Sequence, residues 1–383
     1  MKKLTIIAIA VALAAVFAVT ASANEWNLYG SARMATFWTS QDFKDRGDDA
    51  FGRDSVDDLQ WDFQTNSRIG ATVKGDMISG RFEYGAGGGN ANIRRLYGVW
   101  NFMDGWGLKV GQDYTPITFF LSGQAFDTDN GLLFVGNAYG ARKGQVAVEG
   151  MGFKFAAISP ERTALQFDGA VGTTTTERRF PKIEASYEFK LSDAMSVHGF
   201  AGWQFYQQLW GAVDPVTLAV LQREEDVTSY MVGAGADLGF GPFFVKPQVS
   251  YYQNGAAAGW LNRNLGLNTA LPLQVPIINA VTNSVVDVES LMAMLALGFK
   301  PTETLGLEFG IGYVDTSSDP SNGIEYENTY MEYYLQAVVT LAKGVFLVPE
   351  IGYRAYGDLE VTGLPDQDLG SLFYAGLKWQ INF

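Results

Sequence analysis

The feature that most constrains this chain is an alternation of apolar and polar residues that runs longer than an ordinary strand. From Trp61 to Lys74 the odd positions read Trp, Phe, Thr, Ser, Ile, Ala, Val, and the even ones Asp, Gln, Asn, Arg, Gly, Thr, Lys. In 305–313 the odd positions are Leu, Leu, Phe, Ile, Tyr against Gly, Glu, Gly, Gly, and 371–383 repeats the pattern up to Phe383. A period of two is the strand period, and strands of soluble domains are usually about 5–6 residues long. Strands of about 9–11 residues or more, apolar on one face only, suit a tilted bilayer crossing. Helical crossing is excluded in the mature chain, because a span needs about 20 apolar residues. The longest candidate run, 291–299, has nine residues and ends at Lys300, and 271–286 is broken by Pro272 and Pro276.

The alternation predicts strands near 26–38, 60–74, 80–86, 93–102, 107–113, 142–149, 151–159, 181–190, 195–208, 227–238, 243–253, 287–299, 304–314, 328–341, 345–356 and 371–383. That is an even set of sixteen, as a bacterial single-chain barrel requires. Their connections sort by length. Short turns fall at 75–79, 103–106, 192–194, 239–242, 301–303 and 342–344, and long loops at 39–59, 114–141, 160–180, 209–226, 254–286, 315–327 and 357–370. A soluble β-sandwich has no reason to sort its loops this way, whereas an outer-membrane barrel has short periplasmic turns and long external loops.

Composition agrees. Only 18% of the 383 residues are charged, while there are 44 Gly, 26 Phe, 18 Tyr and 9 Trp. A disordered chain lacks the aromatics and a helix bundle avoids so much Gly. Zero Cys excludes a disulfide scaffold, a thiolate metal site and a Cys nucleophile. The net charge of −14 provides no basic footprint for nucleic acid. Lys2 and Lys3, the apolar stretch 4–20 and Ala21-Ser22-Ala23 read as a cleaved signal peptide over 1–23. The mature barrel domain is then 24–383, with 25 basic residues against 41 acidic ones.

In the cleanest strands the charges keep to the phase opposite the apolar one: Asp62, Arg68 and Lys74, then Lys182, Glu184, Glu188 and Lys190, then Glu350 and Arg354. That fits a lipid-facing surface, where Arg or Lys at mid-bilayer costs about 2–4 kcal/mol. With this layout, particular stretches carry a resemblance. They are Leu28-Tyr29-Gly30-Ser31-Ala32-Arg33, Asn66-Ser67-Arg68-Ile69-Gly70 and Arg94-Arg95-Leu96-Tyr97-Gly98-Val99-Trp100. Two more are Leu108-Lys109-Val110-Gly111-Gln112-Asp113-Tyr114-Thr115-Pro116 and the terminal Trp379, Ile381 and Phe383. The chain resembles the Gram-negative trimeric porins of the general-diffusion type. It departs from them at Gly98-Val99, where the family more often reads Val-Gly, and in the weakly patterned 114–150.

The resemblance implies a homotrimer in outer-membrane lipid, inserted by the barrel-assembly machinery that reads Phe383, Ile381 and Trp379. It also implies that loop 114–141 folds into the barrel as a constriction. Asp127, Asp129 and the entry residue Asp113 would then face wall arginines, with Arg33, Arg68, Arg81 and Arg95 as candidates. Arg94 and Arg95 are adjacent, and the apolar phase Leu96, Trp100, Phe102 assigns Arg95 to the lumen and Arg94 to the other face. The apolar stretches 117–121 and 132–135 suit a loop packed on an inner wall. The expected function is a passive channel for small hydrophilic solutes and ions, mildly cation-selective because of the excess acid. A substrate-selective channel and a structural or adhesive surface β-protein are the alternatives. Enzymatic readings fare poorly. His198, the only His, leaves no triad and no His-pair zinc site, and 85–90 lacks the GK[ST] of a phosphate loop. No cofactor is expected. The acids Asp42, Asp45, Asp48, Asp49, Asp54, Asp57 and Asp58 crowd the first loop without calcium-loop spacing; they read as a solvated acidic loop, with divalent-cation binding as the alternative.

Overall fold

A computed structural model describes residues 25–43, 54–87, 90–161, 166–168, 171–213, 220–261, 276–279, 284–318 and 325–383. The signal-peptide expectation, Asp45, Asp48 and Asp49 lie outside the described residues. Sixteen antiparallel strands close into one barrel. In chain order the first eight are β1 Glu25–Asp42, β2 Ser55–Phe63 continued by Arg68–Lys74, β3 Ile78–Gly87, β4 Asn90–Met103, β5 Trp106–Tyr114, β6 Arg142–Gly150, β7 Phe153–Ile158 and β8 Val171–Glu177 continued by Lys182–Ser192. The remainder are β9 Met195–Val213, β10 Val220–Phe240, β11 Phe243–Gln253, β12 Val288–Phe299, β13 Leu305–Ser318, β14 Tyr326–Ala342, β15 Val345–Ala355 and β16 Ser371–Asn382. β1 pairs with β2 on one side, Met34 opposite Phe63, and with β16 on the other, Met34 opposite Trp379. Among the described strands of the barrel no open edge is left; a separate three-stranded sheet is formed by Gln166–Asp168, Ile277–Asn279 and Ser284–Val286.

The outside and inside of this sheet are reversed relative to a water-soluble protein. Leu28, Ile69 and Leu335 stand 76%, 60% and 54% exposed on the outer face. Glu83, Glu184 and Glu332 are completely buried on the inner one. An outward apolar band with polar groups within is the arrangement that hydrocarbon outside and water inside both favour. The tight turns gather at one end. Gly105 and Gly344 take φ of +72° and +80° in them, a region where a Cβ is costly.

The loops expected over 39–59, 160–180 and 357–370 each contain strand, namely β1 up to Asp42 and β2 from Ser55, Val171–Glu177, and Asp358–Val361, and two further boundaries differ. β2 is not continuous over 60–74: it breaks at 64–67, where Ser67 N–H bonds Gln64 O at 2.9 Å and the Ser67 hydroxyl accepts from Arg33 N–H at 3.0 Å. Asn and Ser side chains compete with the ladder for backbone partners, and here they win. The expected long loop 209–226 is instead mostly strand, with Leu209 opposite Glu224 and Val213 opposite Val220. Here the residues between 222 and 224 are exposed. Beyond the bilayer neither face has to be apolar, so pairing continues after the alternation stops.

Candidate pore constriction

The chain leaves β5 at Tyr114 and re-enters β6 opposite it, at Arg142. The connection 115–141 therefore starts and ends at neighbouring points of the rim, and its length is free to fold inward. Ile117, Leu132 and Ala138 on it are fully buried. An inward segment must pair its amides with something other than bulk water, and wall side chains supply the acceptors. Gly123 N–H donates to Glu308 on β13 at 2.6 Å, Phe126 N–H to Glu350 on β15 at 3.0 Å, and Ala138 N–H to Gln248 on β11 at 2.5 Å. The Gln124 amide donates to Glu332 at 2.5 Å and to the Tyr374 hydroxyl at 2.9 Å, and its oxygen accepts from Leu132 N–H at 2.9 Å.

The tip of this segment is strained. Asp127, Thr128 and Asp129 all take left-handed φ, +53°, +68° and +56°, a conformation that costs about 1–3 kcal/mol per non-Gly residue. Contacts from three strands hold it. The Phe126 ring stacks on Tyr374 with centroids 3.8 Å apart. Asp129 pairs with Arg33 of β1, with Lys378 of β16 at 2.9 Å, and accepts from the Asn66 amide at 2.7 Å. Asp127 meets Arg354 of β15 at 3.2 Å. Burial by itself would push the Asp129 carboxyl up; Lys378 and Arg33 outweigh it and hold the group below the usual carboxylate range.

Across from the tip, β1 to β5 carry a cationic wall organised by two buried carboxylates. Glu83 accepts from Arg94 and Arg81, both at 2.9 Å, and from the Tyr29 hydroxyl at 2.8 Å, with Arg68 at 3.8 Å. Asp113 holds Arg95 at 2.6 Å and Lys109 at 2.9 Å. Arg94 is a correction to the sequence reading, which turned it outward. Glu83 pairs with Arg95 but Tyr84 pairs with Ile93, so Arg94 is the extra residue of a β-bulge. A bulge interrupts the alternation and re-aims a side chain, and both arginines face inward. A hollow of about 730 Å³ lies between this wall and the inward segment, lined by Arg33, Arg68, Arg94 and Arg95 on one side and Ser122, Gly123 and Asp129 on the other.

The structure thus brings together Arg33 with Asp129 and Arg95 with Asp113. Arg68 borders the hollow without touching a loop acid, Arg81 is taken up by Glu83 and Tyr29 beneath it, and Asp127 finds Arg354 in place of the expected arginines. Glu83, Lys109, Lys378 and Glu332 are not among the candidates for the site that the sequence offers, although parity with an inward neighbour marks Glu83 (with Arg81) and Lys109 (with Asp113). His198 sits on the inner face, its ring 3.8 Å from that of Phe119 on the inward segment. At the seam, Phe383 and Gly30 exchange backbone hydrogen bonds of 2.7 and 3.1 Å, Ile381 pairs with Ala32, and Trp379 with Met34.

A closed barrel of sixteen strands, apolar outside and charged inside, with the connection 115–141 folded into it, is an architecture found in solved outer-membrane proteins. The fold is that of the outer-membrane porins. The outer-membrane channel DcaP of Acinetobacter baumannii superposes with a TM-score of 0.65 at 18% identity, covering 95% of this chain and 99% of that one. An anion-selective porin from Comamonas acidovorans gives a TM-score of 0.55 at 13% identity over 94% and 100% of the two chains. OmpT, an outer-membrane protein of Vibrio cholerae in its trimer form, gives 0.54 at 14% identity over 94% and 100%. No protein-family model and no curated protein sequence matches the chain.

Proposed function

We propose that this barrel is a passive outer-membrane channel for small hydrophilic solutes and ions, with segment 115–141 as its constriction. The observation that carries the reading is the charged hollow between that segment and the arginine wall, inside a barrel whose outer face is apolar. The chain would be exported with loss of 1–23, inserted through its terminal strand ending at Phe383, and assembled as a homotrimer. OmpT of Vibrio cholerae, of the same fold, has a trimer form.

The overall acidity of the chain points to mild cation preference, but the hollow argues for the opposite sign at the narrowest place. Eight of the residues around it are Arg or Lys and three are Asp or Glu. Fixed charge at close range in a confined passage outweighs distant charge on external loops, which salt screens over about 10 Å at 0.1 M. We therefore propose that small anions pass preferentially, as the Comamonas porin of this fold is described to do. Reversal potentials in a KCl gradient across a planar bilayer test it. The expected potential has the sign of chloride preference, and Arg94→Ala with Arg95→Ala moves it toward cations. A cation-selective unmutated channel would overturn the anion reading, and the absence of pores would overturn the channel itself.

A further inference from the structure

A second segment also folds inward, on the side of the barrel away from the arginine wall. At the end of β11 the chain turns at Asn254, a fully buried residue with φ of +54°. Its amide donates to Thr228 O at 2.9 Å and to Asp287 at 2.6 Å, and its oxygen accepts from Val288 N–H at 2.9 Å. Residues 255–261 then run across the inner face instead of outward. Ala257, Ala258 and Trp260 are 0% exposed.

What they pack against is a pair of wall charges on β8. Lys182 and Glu184 are two positions apart, share the inner face, lie 3.3 Å from each other and are both fully buried. Lys182 Nζ donates to Ala258 O at 3.0 Å, and Glu184 accepts from the Trp260 indole N–H at 2.8 Å. On β9, Gln204 donates to Ala257 O at 3.2 Å, and Gly202 leaves the room that the Trp260 ring fills: a Cβ there would sit 2.5 Å from it. The other Glu184 oxygen accepts from Ile117 N–H, at the root of the constriction segment, at 3.5 Å. Burying a charge pair is costly unless each charge finds several partners. These two find theirs in the Ala258 carbonyl, the Trp260 indole and the Ile117 amide.

We propose that the Lys182–Glu184 pair is the positioning element for a second constriction segment, 254–261, and that this segment together with 115–141 sets the open cross-section of the channel. The inference rests on the channel reading for its effect on passage, but not for its effect on position. The absence of cysteine makes position directly readable. Ala257→Cys, in the otherwise native folded barrel, is reacted with a charged membrane-impermeant maleimide. It should label slowly, and about tenfold faster when Glu184→Gln is added, since a lost buried partner raises the released population by about that factor. Ala35→Cys, on β1, should be unaffected by Glu184→Gln. Gly202→Ala, which leaves the ion pair intact and crowds the indole, should also speed labelling at 257. Single-channel conductance should rise in both variants. Labelling at 257 as slow with Glu184→Gln and with Gly202→Ala as without them, with the barrel still folded by its heat-dependent gel mobility, would overturn the positioning role. Faster labelling with unchanged conductance would overturn the contribution to the cross-section. Absence of any pore in the unmutated protein would strike the channel reading while the labelling comparison still decides the positioning.

Discussion

The two halves of the barrel interior obey one alternation and yet are filled in opposite ways. Around Glu83 and Asp113 on β1 to β5 the inward positions include Arg and Lys held by those carboxylates, with Lys378 of β16 beside them, and a hollow remains in front of them. Along β8 to β13 the inner face is covered away from the tight turns: Ile117 and Leu132 of one segment and Ala257 and Trp260 of the other pack with Phe200, Met231, Tyr252 and Met292 in an apolar cluster, while at the turn end Glu188, Lys190, Asp237 and Lys246 border a second hollow of about 830 Å³. Cations cannot be covered by apolar groups without large desolvation costs, so the charged half keeps space for water and solute. The covered region seats segment 254–261 and the root of 115–141, whereas the tip of 115–141 rests on β1, β15 and β16. The Lys182–Glu184 pair, each charge compensated by the other and by 254–261, is packed over, while the arginine wall borders the hollow.

Three perturbations would break or sharpen that contrast. The largest effect is expected at Glu83, which is fully buried and faces Arg94, Arg81 and Arg68. Glu83→Ala leaves those guanidinium groups uncompensated and should cost about 3–5 kcal/mol, read as a lower guanidinium midpoint in detergent micelles. Added sodium chloride should restore part of it, because the loss is charge repulsion. A salt-independent loss would mean that Glu83 acts by packing alone. In the covered half, Met292→Ala opens a cavity at a 0% exposed site and should cost about 2–5 kcal/mol. That loss should be the same at low and high sodium chloride; a charge-like salt response there would erase the distinction between the halves.

The smallest effect is the pH response of the loop tip. The Asp129 carboxyl is held below its ordinary range by Lys378 and Arg33 against the push of burial. A depressed carboxylate stabilises the folded tip above its unfolded value and loses that contribution as pH falls through the folded one. Conductance should therefore be flat from neutral pH down through the usual Asp range, near 3.9, and become noisy or larger only below it. Asp129→Asn should show the altered conductance already at neutral pH. A transition in the unmutated channel at pH 5 to 6 would assign it to another group.

Much of this molecule was legible in its residues, for a physical reason. Alternation is a local consequence of the strand and of the two solvents on either side of it. Period two therefore located sixteen strands, their outward faces and the side of His198, Glu184, Glu350 and Arg354 without knowledge of any partner. The sorting of short and long connections likewise identified 114–141 as a loop with apolar stretches that an external loop does not need. What the residues left open depends on pairing between distant strands. The bulge that turns Arg94 inward exists only because Glu83 sits opposite Arg95 while Tyr84 sits opposite Ile93. The break at 64–67 exists because Ser67, between the two parts of β2, finds Arg33 on the neighbouring β1. Residues 254–261 read as part of one more external loop; their place was decided by Lys182 and Glu184, about seventy residues earlier in the chain. A side chain's face follows from its own strand, but which charges meet, and which loop turns inward to meet them, follows from closure of the barrel.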